Sequence, residues 1–191
     1  MKKRGFATLV LAVVICVLLV APAWAKSTAE FLKTEFLEPR DSVITGTMLV
    51  NNWKWYGVDV LPQLVILTAE TSLGSPEHGG ALVQANNFGC MRYSGTSSKW
   101  SSLADGSVSV AGFDWFHFPS PTIGMMAWGR YLKVAHDGYY RQALGEQPYD
   151  WEAFARLYYG EDVDGFSDYV ATLRGYEQKY RAQAAEHGFL W

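Results

Sequence analysis

Only two cysteines, Cys16 and Cys90, occur in the 191 residues. They fall on opposite sides of an expected processing site, so no structural disulfide is expected in the mature chain and its core has to hold by packing alone. Basic residues are scarce as well. Sixteen Lys and Arg stand against nineteen Asp and Glu, a net charge of −3. No basic run follows residue 4, which excludes a tight nucleic-acid binder, because phosphate recognition needs a concentrated Lys/Arg surface. The histidines, His78, His117, His136 and His187, show no close ligand spacing, and Glu77-His78 lacks the second histidine of a zinc-protease helix. No metal and no cofactor is expected. There is also no Gly-x-Ser-x-Gly elbow to support a serine nucleophile, and no glycine loop that would cradle a phosphate. Cys90 reads as a small apolar packing residue rather than as the thiol of a Cys90–His117 pair. Repeats and interdomain linkers are likewise missing.

What the chain does have is apolar and aromatic side chains, 49% and 15% of its residues, which excludes a disordered protein. Lys2, Lys3 and Arg4 precede an uncharged stretch from Gly5 to Ala25 that ends in Ala23-Trp24-Ala25. This is the pattern of a secretory signal peptide over residues 1–25, with the folded domain at 26–191 and a secreted or periplasmic location. The same stretch is long enough to span a bilayer at ~20 residues per helix. Pro22 and the small residues at 21, 23 and 25 favour processing, after which no stable membrane insertion is expected. Ile15 before Cys16 argues against a lipoprotein signal. Removing three basic and no acidic residues would leave 13 basic against 19 acidic, a net charge of −6. One domain, acting as a monomer, is expected.

Periodicity points to a mainly helical α+β domain. Ser27-Thr28-Ala29-Glu30 has capping-box spacing and predicts a short helix to Leu37, ended by Pro39. After a loop around Gly46, Asp59 to Leu73 is apolar nearly all the way round, as a helix buried in the domain would be. Asp59 is its expected N-cap, Pro62 falls in its first turn, and Gly74 stands at its C-terminal end. Residues 75–98 read as loop with one helical turn at Gly80 to Gln84. Asp105-Gly106 is a hairpin-turn signal, and Ser107 to Val110 and Asp114 to Phe118 alternate like short strands. Ser120-Pro121 opens a helix to Val134, and further helices are expected over Tyr149 to Tyr158 and Val163 to Glu186.

Chemistry is best placed on Glu70, in the last turn of the apolar helix. Desolvation there favours the protonated carboxyl, as a general acid for glycosidic cleavage requires. The surrounding residues carry a resemblance. Tyr56-Gly57-Val58-Asp59-Val60-Leu61, Leu64-Val65-Ile66-Leu67-Thr68-Ala69-Glu70-Thr71-Ser72-Leu73-Gly74 and the later Asn86-Asn87-Phe88-Gly89 resemble the paired signature of glucosaminidase-type autolysins. Those enzymes are lysozyme-like peptidoglycan hydrolases in which a buried helix ends in Glu-Ser-x-x-Gly and an Asn-Asn-x-Phe-Gly loop lines the sugar cleft. Here Thr71 follows the Glu, and one residue is absent between Asn87 and Phe88. The resemblance implies a lysozyme-like helical domain with a small antiparallel β-hairpin, endo-β-N-acetylglucosaminidase activity on the β-1,4 bonds of peptidoglycan, and Glu70 as proton donor.

It also implies roles elsewhere. Phe116-His117-Phe118-Pro119-Ser120-Pro121 is similar to the family's aromatic strand leading into a Ser-capped helix. Tyr158-Tyr159-Gly160 and Ser167-Asp168-Tyr169-Val170 are similar to elements of lytic transglycosylases and glucosaminidases in which a tyrosine faces the catalytic Glu. That tyrosine is expected to be Tyr159, with Tyr158 next. Asn86, Asn87, Phe88, Tyr158, Tyr169 and Trp115 are the expected sugar-binding residues, and peptidoglycan glycan strands the expected partner. A glycosidase normally uses two carboxylates. The candidates for the second are Asp105, which turn chemistry also explains, and Asp114. If neither serves, the sugar's own acetamido group or a lytic transglycosylase mechanism needs only one. A non-catalytic wall-binding or assembly protein of the same fold is the remaining alternative.

Overall fold

The computed structural model describes residues 28–94, 100–189 and 191. The expected signal segment, its cleavage site and the Ser27 cap lie outside the described residues. The first element, α1, runs over residues 28–32, widens into a π-helical turn at Lys33–Leu37 and tightens at Glu38–Arg40, where Pro39 sits. Phe31, Leu32, Phe36 and Leu37 form its buried face.

The stretch expected to be loop around Gly46 is instead a helix, α2, Gly46–Tyr56. With Asn51, Asn52 and an N-terminal glycine it is a poor helix by propensity alone, and its neighbours supply what is missing. The Thr45 side chain accepts from the Met48 amide at 3.3 Å, and the buried Asn52 donates to the Met125 carbonyl at 3.0 Å. Gly46 lets α1 approach, since a Cβ there would lie 2.1 Å from the Ala29 carbonyl oxygen.

The apolar helix is α3, Val60–Thr71, with every residue from Val60 to Leu67 buried. Asp59 stands at its N-cap position but makes no capping bond; its carboxylate turns to Tyr149. Beyond α3, Ser72, Leu73 and Gly74 all have positive φ, at 50°, 60° and 71°, so the chain leaves the helix through an abrupt left-handed turn directly after Glu70 and Thr71. A short α4, Gly80–Gln84, follows as expected.

The sheet is an antiparallel pair, β1 at Gly106–Val110 and β2 at Phe113–His117, in the register Val110↔Phe113 to Gly106↔His117. Its turn is Ala111-Gly112, with φ of 53° and 81°, the two left-handed residues of a type I′ turn. Asp105-Gly106 is therefore not the turn, and Asp105 leads into β1, its amide donating to the His117 carbonyl at 3.1 Å. On the other edge of β2, the Tyr93 amide donates to Asp114 and Phe116 donates to Met91, which ties the loop after α4 to the hairpin.

Helix α5 spans Pro121–Val134 with Ser120 capping the Ile123 amide at 3.3 Å. A left-handed corner at His136, Asp137 and Gly138 leads into α6, Tyr139–Leu144, a helix not expected from the sequence because three successive positive φ values leave no conventional start signal. Helix α7, Trp151–Ala155, is capped by Asp150 and widens into a π turn at Arg156–Gly160; α8 runs over Phe166–Glu186. The described residues are thus mainly helical with one two-stranded antiparallel sheet. Helix α3 lies at the centre against α2 and α8, and α2 packs on α5.

Candidate functional site

Glu70 emerges from the last turn of α3 half-buried, and elements distant in sequence close around it. The loop after α4 reaches it first. That loop is pinned by Asn87, whose Nδ2 donates to the Met91 carbonyl at 2.8 Å and the Phe116 carbonyl at 3.0 Å, while its Oδ1 accepts from the Met91 amide at 2.8 Å. Asn86 donates to the Phe118 carbonyl at 2.7 Å. Thr71 Oγ1 lies 3.2 Å from both the Leu67 and the Phe88 carbonyl oxygens, joining the helix end to the loop. These bonds set Cys90 with its thiol donating to the Glu70 carbonyl, Sγ to O 3.7 Å.

The second approach is from α8. Tyr169, in its first turn, donates its hydroxyl to Glu70 Oε1 at 2.6 Å. Tyr159, expected to face Glu70, does not bond it. It stacks on Tyr169 with ring centroids 4.6 Å apart and 13° between planes, and its hydroxyl donates to the Asp164 carbonyl at 3.2 Å. Tyr169 takes the Glu70-facing position because the helical turn of α8 aims it inward, whereas Tyr159, in the π turn, stays exposed. Tyr158 points to the other side of the same wall, donating to the Gly89 carbonyl and accepting from Trp128 Nε1 at 3.2 Å. Gly89 is obligatory for this contact: a Cβ there would stand 2.0 Å from Trp128 Cδ1.

Electrostatically, burial favours the neutral form of each acid in the site. Burial pushes the Glu70 carboxyl above its ordinary range, with the Tyr169 hydroxyl and then Cys90 pulling the other way. Burial, with the negative charge of Glu70 added, also raises the Tyr169 and Cys90 groups, and Tyr158 is held up the same way. Tyr169 therefore remains a donor, and Cys90 remains a thiol. With Oε1 occupied as an acceptor, Oε2 is the oxygen left to carry a transferable proton. No thiolate–imidazole pair forms among the described residues, since His117 Nδ1 lies 2.5 Å from Asp105 Oδ1 instead.

Several expected sugar contacts need correction. Asn87 and Phe88 are fully buried; the first spends its amide on three backbone groups and the second fills the core, so neither presents a surface to a sugar. Asn86 is half-buried, with its Nδ2 committed to Phe118. Asp105 is not aimed at Glu70 but paired with His117 at the foot of the hairpin, and Asp114 accepts from Ser109 on the hairpin itself. Trp115, half-buried, donates Nε1 to the Val110 carbonyl at 3.1 Å, with the Arg92 guanidinium 5.4 Å from its ring and 3.9 Å from that of Phe113. Of the tryptophans, Trp128 and Trp151 are core residues. The Glu70–Tyr169 pair, the Cys90 contact and the Trp128–Tyr158 support were not singled out from the sequence; the partners lie 99, 20 and 30 residues apart, beyond the reach of any helical or strand periodicity.

No protein-family model and no curated protein matches the chain. Among solved structures, a type VI secretion system effector–immunity complex from Pseudomonas protegens is similar, with 15% sequence identity and a TM-score of 0.44 over 80% of this chain and 94% of that one.

Proposed function

We propose that the chain is an exported, lysozyme-like enzyme that cleaves the β-1,4 glycan strand of peptidoglycan, with Glu70 as general acid. The observation that carries this reading is the half-buried Glu70 carboxyl, raised by desolvation and held by Tyr169 at 2.6 Å. A protonated carboxyl with one oxygen fixed is suited to passing a proton to a glycosidic oxygen as the bond to C1 breaks. Among the described residues, the groups that act on Glu70 include Tyr169 and Cys90 but no second carboxylate, which favours a mechanism with one protein acid. The positive charge developing at C1 is then met by the oxygen of the sugar's own 2-acetamido group, and water later opens that intermediate, as in substrate-assisted enzymes. Tyr169 keeps Glu70 oriented and, after proton transfer, donates to the carboxylate, which takes a proton back from the attacking water.

The test is mass spectrometry of soluble fragments released from peptidoglycan by residues 26–191, run beside Glu70→Gln. Fragments with a reducing N-acetylglucosamine end, lost in the variant, are the expected result. Anhydro-muramic ends would instead identify a lytic transglycosylase, in which the carboxylate takes the proton of the sugar's C6 hydroxyl. Wall binding without fragments from either protein would overturn the enzyme reading in favour of a wall-binding or assembly role.

A further inference from the structure

A cavity of about 520 Å³ opens at the opposite end of α3 from Glu70, within the ~300–1,000 Å³ range of small-molecule sites. Asp59, which lines it, precedes Glu70 by eleven residues along the same helix, ~16 Å by helical rise. The two are separate sites. The walls of this cavity are largely aromatic, with Trp53 from α2, Tyr149 from the segment before α7, and Phe189 and Trp191 from beyond α8. The last three rings are held from behind. Phe189 stacks on Phe31 at 4.0 Å, Trp191 meets Phe36 at 5.8 Å, and Tyr149 meets Trp151 at 5.8 Å.

Asp59 is the one charged side chain in this lining. Its Oδ2 accepts from the Tyr149 hydroxyl at 3.0 Å, and no Lys or Arg among the described residues lies within ion-pair distance of it. The cation close to the Tyr149 ring, Arg181 at 5.6 Å, is committed to Glu177 at 2.8 Å and to the Trp191 carbonyl. Desolvation leaves the Asp59 carboxyl above its ordinary range. A half-buried carboxylate with no ion-pair partner among the described residues, in a cavity lined by aromatic rings, matches the needs of an organic ammonium: the carboxylate supplies the charge-assisted hydrogen bond and the rings attract the cation and cover its carbon stem. A neutral sugar in the same place would leave the carboxylate uncompensated.

We propose that this cavity is a binding site for a primary alkylammonium of the lysine side-chain type, with the ammonium on Asp59 and its methylene stem against Trp53, Tyr149 and Trp191. The site is independent of what Glu70 does. The test titrates residues 26–191 with Nα-acetyl-lysine amide and, in parallel, with its Nε-acetylated counterpart, followed by tryptophan fluorescence and by amide chemical shifts. Saturable binding of the amine, at least tenfold weaker for the acetylated ligand and for Asp59→Asn, is the expected result, with Glu70→Gln binding as the unaltered chain does. Asp59 makes no capping bond that Asn would lose, and circular dichroism checks that the variant is folded; the ligand pair decides the matter even if it is not. Equal binding of both ligands, no binding of the amine, full affinity in a folded Asp59→Asn, or displacement of the amine by an N-acetylglucosamine trimer would each overturn the assignment.

Discussion

Glu70 is subject to two opposed effects. Burial raises its carboxyl, and the Tyr169 hydroxyl lowers it. Removing that hydroxyl with Tyr169→Phe leaves burial unopposed by its main counterweight, so the pH above which the acid is lost moves upward. Under the proposed function, the alkaline limb of kcat/KM shifts to higher pH. The rate at the optimum falls about 10- to 100-fold, the worth of a hydrogen bond to a charged group at ~1.5–3 kcal/mol. Tyr159→Phe, which removes a bond to the Asp164 carbonyl but keeps the ring stacked on Tyr169, leaves the limb in place, and pH–rate profiles of both variants check the contrast. The same raised carboxyl has a cost in stability. Between the ordinary value of 4.5 and the raised folded value, the native state binds more protons than the unfolded one, so stability falls as pH rises through that window and the penalty is absent below it. Glu70→Gln deletes the penalty. Its Tm is expected to exceed that of the unaltered chain at pH 7, by about 2–4 °C for each kcal/mol recovered, with the gain vanishing toward pH 4. A gain of equal size at both pH values would show that the buried charge is not its source.

Among the elements, the loop after α4 decides whether Glu70 has a setting at all, and its leading residue is Asn87. Truncation to Ala takes Asn87 from the Met91 amide and the Phe116 carbonyl, at ~1–3 kcal/mol each, while the Met91 carbonyl keeps its bond from the Phe116 amide. Asn87→Ala is therefore expected to lose at least about 2 kcal/mol in urea denaturation. Asn86→Ala, which breaks one half-buried bond, loses about 1 kcal/mol. A selective loss of glycan affinity with stability intact would instead make Asn87 a sugar ligand. The Asn-Asn pair was visible in the sequence, but its use was not, because an amide that reads a sugar and an amide that pins a loop are the same residue type. Helix legibility divides in the same way. The apolar run of α3, the Ser120-Pro121 start of α5 and the short α4 follow their local signals closely. Helix α2 does not, because it is held by the Asn52 bond to Met125, the close approach of Gly46 to Ala29 and the Thr45 cap on Met48, and the first two partners lie far along the chain. The hairpin turn lies away from the conventional Asp105-Gly106 signal because Ala111 adopts the left-handed region without a residue type that announces it.

Across the whole molecule, the aromatic excess and the acidic balance pull on function differently. Much of the aromatic content is structural: Trp128, Trp151, Tyr140 and Tyr180 are fully or almost fully buried. They lie in α5, α7, α6 and α8 in turn, and these helices pack in succession, α5 on α6, α6 on α7 and α7 on α8, with α8 against α3. The exposed aromatics that remain near the proposed site are few, with Tyr159 over Tyr169 the clearest. Charge is the larger constraint on a peptidoglycan-acting enzyme. The chain carries a net −3, which removal of residues 1–25 would take to −6, and bacterial wall polymers are themselves anionic, so encounter is opposed at long range instead of steered. Repulsion of this kind acts over a Debye length of ~30 Å at 0.01 M salt and ~8 Å at 0.15 M. The initial rate of wall digestion is therefore expected to rise severalfold as NaCl is increased over that range, the reverse of a basic, electrostatically attracted lysozyme. Turbidity clearance of purified walls measures it, with soluble uncharged chito-oligosaccharides as the control whose cleavage rate stays flat. A wall-digestion rate that falls with salt would mean that a local cationic surface, not the net charge, governs approach.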